Sequence, residues 1–248
     1  MRLMAKLNRI VFILSLVCLL SRPLLGYDKD YPPYRFKDGP PKHLVAAPIV
    51  DGLDKNRYTS KDGRIEVRLN ETFHKALDFL LKDGDITLMR MGEDLGQAIP
   101  YAVYMADLDG NGLADFIVLS NYRGCGLAAR MDKVDIFLKI ASLKYIHIAY
   151  DTLDSGLEDF VDLNNDGRFE AIITDLISGK SHNYFGYSIY EFKGYKLENC
   201  DSKVKGFPKF VWYSYKPNDK DATQLTAKER FAAIRSKNNK IEYQELRP

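Results

Sequence analysis

The sequence predicts a mainly β protein built from antiparallel sheets. From about Pro100 onward, short runs of β-branched and aromatic residues alternate with Gly, Asn and Asp, as in closely spaced strands. The run "RIEVRL", residues 64–69, alternates apolar and polar residues as a half-buried strand does. A stretch of about 55 residues then occurs twice, which indicates an array of similar β units. A short helix is predicted before this β region and another after it.

Residues 1–26 have the order of a secretory signal peptide. A basic start is followed by an apolar run from Ile10 to Leu20 and a break near Gly26, where cleavage is predicted. The apolar run is shorter than the roughly 20 residues that span a membrane. We therefore expect a secreted or periplasmic protein, which is not an integral membrane protein once the signal is cleaved. An uncleaved anchor is the alternative.

The charge balance gives no sign of a nucleic-acid partner. The whole chain carries 36 Lys and Arg against 34 Asp and Glu, and four of the basic residues lie in the leader, which has no acid. The mature chain is therefore close to neutral, unlike a typical nucleic-acid binder. Cys125 and Cys200 remain after cleavage, and export favours a disulfide between them. Two buried thiols are the alternative.

Residues 27–97 are predicted as an extended N-terminal segment with one strand and one helix. Two Pro-Pro pairs exclude regular helix near the start. After the strand at 64–69, Asn70 can cap a helix and Gly84 can end it. The apolar positions with helical spacing are Phe73, Ala76, Leu77 and Leu80.

The β region spans residues 98–215, and residues 216–248 follow it. In this last segment Thr226 and Glu229 form a capping box, and Phe231 and Ile234 give the following helix one apolar edge. The run "IEYQEL" is predicted as a last strand.

Two polar loops occupy equivalent places in the repeated stretch. "ADLDGNGLADFIVLS" (106–120) aligns with "VDLNNDGRFEAIITD" (161–175), and each loop has oxygen-bearing side chains at positions 1, 3, 5 and 9, a glycine at position 6 and an apolar strand afterwards. The candidate metal ligands are Asp107, Asp109, Asn111 and Asp115 in the first loop, and Asp162, Asn164, Asp166 and Glu170 in the second. Position 7, Leu113 or Arg168, can offer its backbone carbonyl.

This spacing fits Ca²⁺, which takes six to eight oxygen ligands and accepts flexible geometry, whereas Mg²⁺ demands a strict octahedron. Three carboxylates clustered without a cation would repel one another. An EF-hand needs Glu at position 12, where these loops have Val118 and Ile173. We therefore predict two structural Ca²⁺ sites. Because Asp, Asn and Gly also form ordinary turns, a metal-free turn is the alternative.

The loops "DLDGNGLAD" and "DLNNDGRFE" resemble the calcium loops of the VCBS and FG-GAP repeat families. The resemblance implies blade-like antiparallel sheets in a partial or propeller-like arrangement, and a place in secreted adhesion proteins or secreted enzymes. It covers about residues 98–200. The Phe-Gly and Gly-Ala-Pro signatures of the families are missing, and two copies cannot complete the usual 4–8 blades of a propeller.

No hydrolase, nucleotide or dinucleotide motif occurs in the sequence. Glu158 and Asp159 are poorly placed as an acid–base pair if they lie on a strand, because strand neighbours point to opposite faces. His147 is predicted as a half-buried strand histidine. Trp212 or Tyr213 could line a binding surface, with ordinary packing as the alternative.

We therefore expect a calcium-stabilised binding or adhesion module for an unidentified protein or glycan ligand. A small secreted hydrolase on the same scaffold and an envelope protein with a purely structural role are the alternatives.

Overall fold

The computed structural model describes residues 42–51, 57–72, 75–91, 98–122, 130–178, 183–204, 210–213 and 240–247. In these residues the chain forms sixteen β-strands, arranged in three antiparallel sheets, and no α-helix. The prediction of a mainly β fold is therefore confirmed. The predicted signal peptide and the predicted helix after Thr226 lie outside the described residues.

The N-terminal sheet is a meander of four strands in chain order. Its strands are β3 (Arg57–Thr59), β4 (Ile65–Thr72), β5 (Lys75–Asp83) and β6 (Ile86–Met91). Strand β4 confirms the strand predicted from "RIEVRL". The helix predicted to begin at Asn70 is wrong, since residues 70–72 end β4 and the whole of β5 lies within the predicted helix.

The helical spacing was misleading because β5 is apolar on both faces. Leu80 is buried, as a helix would require, but Phe79 and Leu81 on either side of it are fully buried as well. Gly84 does not end a helix. Its φ of +60° belongs to a two-residue turn that brings Asp83 opposite Ile86, a conformation that glycine adopts readily.

The central sheet has six strands in the order β16-β10-β9-β8-β7-β2. Their bounds are Ala47–Asp51 for β2, Ile99–Ala106 for β7, Asp115–Asn121 for β8, Met131–Ala141 for β9, Lys144–Leu153 for β10 and Glu242–Leu246 for β16. The four runs predicted as strands between residues 100 and 153, and the last strand from "IEYQEL", are confirmed.

The outer sheet also has six strands. They are β1 (Lys42–His43), β11 (Phe160–Asp162), β12 (Glu170–Ser178), β13 (Asn183–Lys193), β14 (Lys196–Asn199) and β15 (Phe210–Tyr213). Strands β14 and β15 both pair with β13, along the edge opposite to the one that pairs with β12. A turn of 3₁₀ helix, Leu157–Asp159, leads into β11.

The central sheet lies between the other two sheets. On one face Phe116 and Phe137 pack with Phe79 of the N-terminal sheet. On the other face Ile117 packs with Ile173 of the outer sheet. Six successive residues of β8 are buried because both of its faces are covered, which explains the apolar run from Phe116 to Leu119.

Each sheet contains four consecutive strands in up-and-down order: β3–β6, β7–β10 and β11–β14. The two polar loops occupy the same place in two of these meanders, between the first strand and the second. In the described ranges no sheet closes on itself. Within the same ranges, no helix has the length and apolar character needed to cross a membrane.

Candidate metal centre

The first loop, between β7 and β8, curls around its own side-chain oxygens. Asp107 accepts hydrogen bonds from the backbone N–H groups of Asn111 (3.1 Å, to Oδ1) and Gly112 (2.8 Å, to Oδ2). Asp109 Oδ1 accepts a second bond from Asn111 N at 3.1 Å, and Asn111 Oδ1 accepts one from Leu113 N at 2.7 Å. Gly112 has a φ of +80°, so the bend needs glycine at this position.

Asp115 closes the first loop from a fully buried position at the start of β8. Its carboxylate accepts bonds from Leu108 N and Lys139 N, each at 2.8 Å. Burial, together with the nearby charges of Asp109 and Asp107, raises the pKa of Asp115 to about 7 despite these two amide donors. One oxygen each from Asp107, Asp109 and Asp115 lies within 4.8 Å of the other two. A cation among them would offset their mutual repulsion.

The second loop, between β11 and β12, makes the same hydrogen bonds at equivalent positions. Asp162 accepts bonds from Asp166 N (3.1 Å, to Oδ1) and Gly167 N (3.0 Å, to Oδ2). Asn164 Oδ1 accepts a bond from Asp166 N at 2.8 Å, and Asp166 Oδ1 accepts one from Arg168 N at 2.9 Å. The two loops therefore share one backbone path, although their side chains differ at several positions.

Glu170 takes the place of Asp115 in the second loop. Its side chain is buried, Oε2 accepts a bond from Leu163 N at 2.7 Å, and burial, with the charges of Asp166 and Asp162 adding, raises its pKa to about 7. Asn164 Nδ2 donates to Asp166 Oδ2 (3.2 Å) and to Glu170 Oε1 (3.0 Å), so three predicted ligands meet there.

The two loops touch each other. Phe169 N of the second loop donates to the carbonyl oxygen of Leu108 in the first at 3.1 Å. Leu108 is fully buried, and Phe169 packs against the same core between the central and outer sheets. A Cβ placed on Gly110 would lie 3.2 Å from Cγ of Arg168 and 3.4 Å from the carbonyl oxygen of Gly167. Loops that lie 55 positions apart in the sequence are thus neighbours in the fold.

Lys139 on β9 holds the first loop in place, a role that could not be inferred from the sequence. Its backbone N–H bonds Asp115, and its carbonyl accepts a bond from Asn111 Nδ2 at 3.0 Å. Its ammonium lies 2.7 Å from Oδ2 of Asp83. The carboxylate of Asp83 also accepts bonds from Arg64, at Oδ1, and from Tyr145, at Oδ2. The first loop is therefore connected to the N-terminal sheet through one residue.

Asp83 is 1% exposed and stays charged in this environment because it has three donors. Burial raises its pKa, but the hydrogen bonds from Lys139, Tyr145 and Arg64 together lower it further, so the pKa lies below its ordinary value. These three donors come from three separate strands or turns. Only the folded chain brings them to one carboxylate.

The residues considered for acid–base chemistry do not form a shared site. Glu158 and Asp159 lie in the 3₁₀ turn rather than on a strand; Glu158 is exposed, whereas Asp159 is buried and accepts a bond from Gly156 N at 2.9 Å. His147 lies on β10 with its side chain 22% exposed and Nε2 2.8 Å from Asp135 Oδ1. The prediction of a half-buried strand histidine is confirmed.

Cys200 is a buried free thiol in this structure, and its Sγ donates to the carbonyl oxygen of Ile189 at 3.5 Å. Burial raises the pKa of this thiol to about 12, with nearby acidic residues adding to the effect. Cys125 lies outside the described residues, so the disulfide stays a prediction. Trp212 and Tyr213 lie on β15, but their side chains are not among those described.

Comparison of the chain with protein-family models, with curated proteins and with solved structures gives no match. The resemblance to VCBS and FG-GAP calcium loops therefore rests on the loop residues themselves.

Proposed function

We propose that the protein is a secreted or periplasmic binding module of the adhesion type, stabilised by two Ca²⁺ ions, with a protein or glycan as its ligand. The observation that carries this proposal is the pair of polar loops. They occupy equivalent places in two neighbouring sheets, and they share their backbone hydrogen bonds. In the first loop three carboxylates also converge, an arrangement that a bound cation would stabilise.

The donor set favours Ca²⁺ over other metals. In each loop every predicted ligand atom is an oxygen, from carboxylates, an amide and the backbone carbonyl of Leu113 or Arg168. With a bidentate Asp115 or Glu170, this set supplies most of the six to eight oxygens that Ca²⁺ takes. Zn²⁺ prefers nitrogen and sulfur ligands, and these loops contain no His or Cys.

The positions of the loops favour a structural ion over a catalytic one. Asp115 and Glu170 are buried at the starts of strands, so each ion would lie where a loop enters a sheet. Nearly complete coordination by the protein leaves little room for a substrate, whereas a catalytic metal needs an open position. We further propose that the four-stranded meanders serve as blade-like units in a partial, propeller-like arrangement.

Thermal unfolding of the mature protein in millimolar Ca²⁺ and in excess chelator tests the calcium proposal. An ion that binds only the folded state adds about 2.7 kcal/mol per site at a hundredfold excess over Kd, so the melting temperature should rise with Ca²⁺. Mg²⁺ at the same concentration is the control and should have a smaller effect. An identical melting curve in Ca²⁺ and in chelator would contradict the proposal.

The binding role is tested by a glycan and protein-partner array, run beside a screen for hydrolysis of glycosides, esters, phosphates and peptides. We expect specific binding and no turnover. Turnover that is lost in both Glu158→Gln and Asp159→Asn, but kept in the exposed variant Asp85→Asn, would replace the binding role with an enzymatic one.

A further inference from the structure

A second polar group of residues lies on the face of the central sheet that looks toward the N-terminal sheet. It includes Asp135 on β9, four residues along the strand from Lys139 and hence about 13 Å from the first loop. It also includes Ser120 on β8. Both side chains are 0% exposed. None of the predicted calcium ligands belongs to this group.

Two buried oxygen atoms of this group have no hydrogen-bond partner in the part of the chain that the structure describes. They are Oγ of Ser120 and Oδ2 of Asp135. A buried polar atom without a partner costs about 1–3 kcal/mol, and native proteins contain few of them. Two such atoms on adjacent strands therefore call for a common explanation.

The strand register places the two side chains on one face, a diagonal step apart. Val118 pairs with Asp135 and Ser120 pairs with Lys133, so Ser120 and Asp135 point the same way from neighbouring strands. Diagonal neighbours of this kind have Cα atoms about 7–8 Å apart. That separation is suited to one small group bound between their side-chain oxygens.

The other carboxylate oxygen of Asp135, Oδ1, already has its partners. Oδ1 lies 2.9 Å from Nζ of Lys133 and 2.8 Å from Nε2 of His147. The charge of the carboxylate is thus balanced by Lys133, and a further cation is not needed. The oxygen left over, Oδ2, requires a neutral donor.

We propose that Ser120 and Asp135 form a binding site for one hydroxyl group. A hydroxyl donates its proton to Asp135 Oδ2 and accepts a hydrogen bond from Ser120 Oγ, which satisfies both atoms at once. Two sources carry this chemistry: a buried water molecule, and a hydroxyl of a bound polyol or sugar. The site is independent of the calcium proposal.

The test is a high-resolution crystal structure of the protein grown without polyols, together with an NMR titration with glycerol, glucose and galactose. We expect an oxygen within hydrogen-bond distance of both Ser120 Oγ and Asp135 Oδ2. Backbone amide shifts at Ser120 and Asp135 that saturate with one of the three compounds assign the site to a ligand hydroxyl. An ordered oxygen without saturable shifts assigns it to water.

The variant Ser120→Ala should lose the bound oxygen and any saturable shift, whereas Ser142→Ala, in an exposed turn, should keep both. Asp135→Asn offers a second test if it folds, because its amide donates where the carboxylate accepts. The proposal is overturned if Ser120 Oγ bonds Asp135 Oδ2 directly, or if the two atoms are bonded to other groups of the protein.

Discussion

At the scale of single residues, the last acid of each polar loop has two roles. Asp115 and Glu170 are candidate ligands, and each also accepts a hydrogen bond from a backbone amide at the start of its own loop. Burial raises the pKa of each carboxyl, so charge at these positions is costly unless a cation is near. A buried acid that anchors a loop and needs a counter-ion is what a structural metal site requires.

Replacing one middle ligand in each loop should remove one ion at a time. Asp109→Ala and Asp166→Ala should each lower the number of bound Ca²⁺ from two to one, measured by calorimetry or by metal analysis after dialysis. Asp85→Ala, an exposed acid in the turn between β5 and β6, is the matched control and should leave the number at two. If both loop variants still bind two ions, the ligand assignment is wrong.

The buried charge of Asp83 should contribute strongly to stability. Asp83→Asn leaves Lys139, whose side chain is only 14% exposed, without its buried countercharge. We expect the free energy of unfolding to fall by about 3 kcal/mol at neutral pH, the low end of the range for breaking a buried ion pair. Chemical denaturation measures this difference. Asp85→Asn should change the free energy of unfolding by less than about 0.5 kcal/mol, as exposed substitutions usually do.

The effect of Asp83 should also depend on pH. Its pKa is lower in the folded state than the ordinary value of 3.8, so its contribution is present above about pH 3.8 and is lost as the pH falls through the folded pKa. The difference between the parent protein and Asp83→Asn should therefore be constant near neutrality and shrink below pH 3.8. A difference that grows with acidification would contradict this assignment.

Thiol titration decides the state of Cys200. Because burial raises the pKa of its thiol to about 12, Cys200 should be unreactive in the native protein if it is free. Denaturing the unreduced mature protein distinguishes the two arrangements. No reactive thiol means the predicted bridge to Cys125, and two reactive thiols mean that no bridge forms.

At the scale of elements, β8 shows how burial on both faces of a strand is reflected in its sequence. Phe116 faces the N-terminal sheet and Ile117 faces the outer sheet, and both are almost fully buried. A strand of this kind has no polar face, so the period-2 signal of a half-buried strand disappears. Strand β5 is similar near Leu80, and there the same loss of alternation led to the prediction of a helix.

Large-to-small substitutions on both faces of β8 should be costly. Phe116→Ala should destabilise the protein by about 3–5 kcal/mol and Ile117→Ala by about 2–5 kcal/mol, measured by chemical denaturation. Gln244→Ala on the exposed edge strand β16 is the control, with an expected change below about 0.5 kcal/mol. A small effect at either β8 position would mean that one face of the strand is open to solvent.

Apart from β14, the strands of residues 98–200 could be predicted from sequence because Gly, Asn and Asp mark their ends. Strands β1, β2 and β3 were missed because they are short and lie among prolines and charged residues, without a clear alternation. Strand β14 was missed because it follows β13 after a tight turn at Gly194 and has one buried side chain, Leu197. Strand β14 is formed through its pairing with β13, and its own sequence does not indicate a strand.

At the scale of the whole molecule, three sheets stack so that the central one is covered on both faces. The repeat in the sequence predicted two similar units, and the central and outer sheets contain them. The third meander, in the N-terminal sheet, was not predicted because its first turn, around Asp62 and Gly63, is shorter and has no comparable set of acids.

The candidate metal site could be predicted loop by loop but not as a pair. Each loop has its candidate ligands within nine residues, so the spacing alone is enough to propose them. The contact between Phe169 and Leu108, and the support from Lys139 and Asp83, join residues that are distant in sequence. Ser120 and Asp135 are likewise related only through the register of β8 and β9.

The strand order of the central sheet has a consequence for how the chain folds during synthesis. Its two edge strands are β2 and β16, and every strand from β3 to β15 lies between them in the sequence. The middle layer of the stack therefore cannot be completed until the last strand has been made, and until then the edge of β10 that pairs with β16 is exposed. Exposed strand edges on a partly made chain favour aggregation, and such distant pairings form slowly. Until β16 docks, a nascent chain of this protein should therefore be more prone to aggregation than the folded protein.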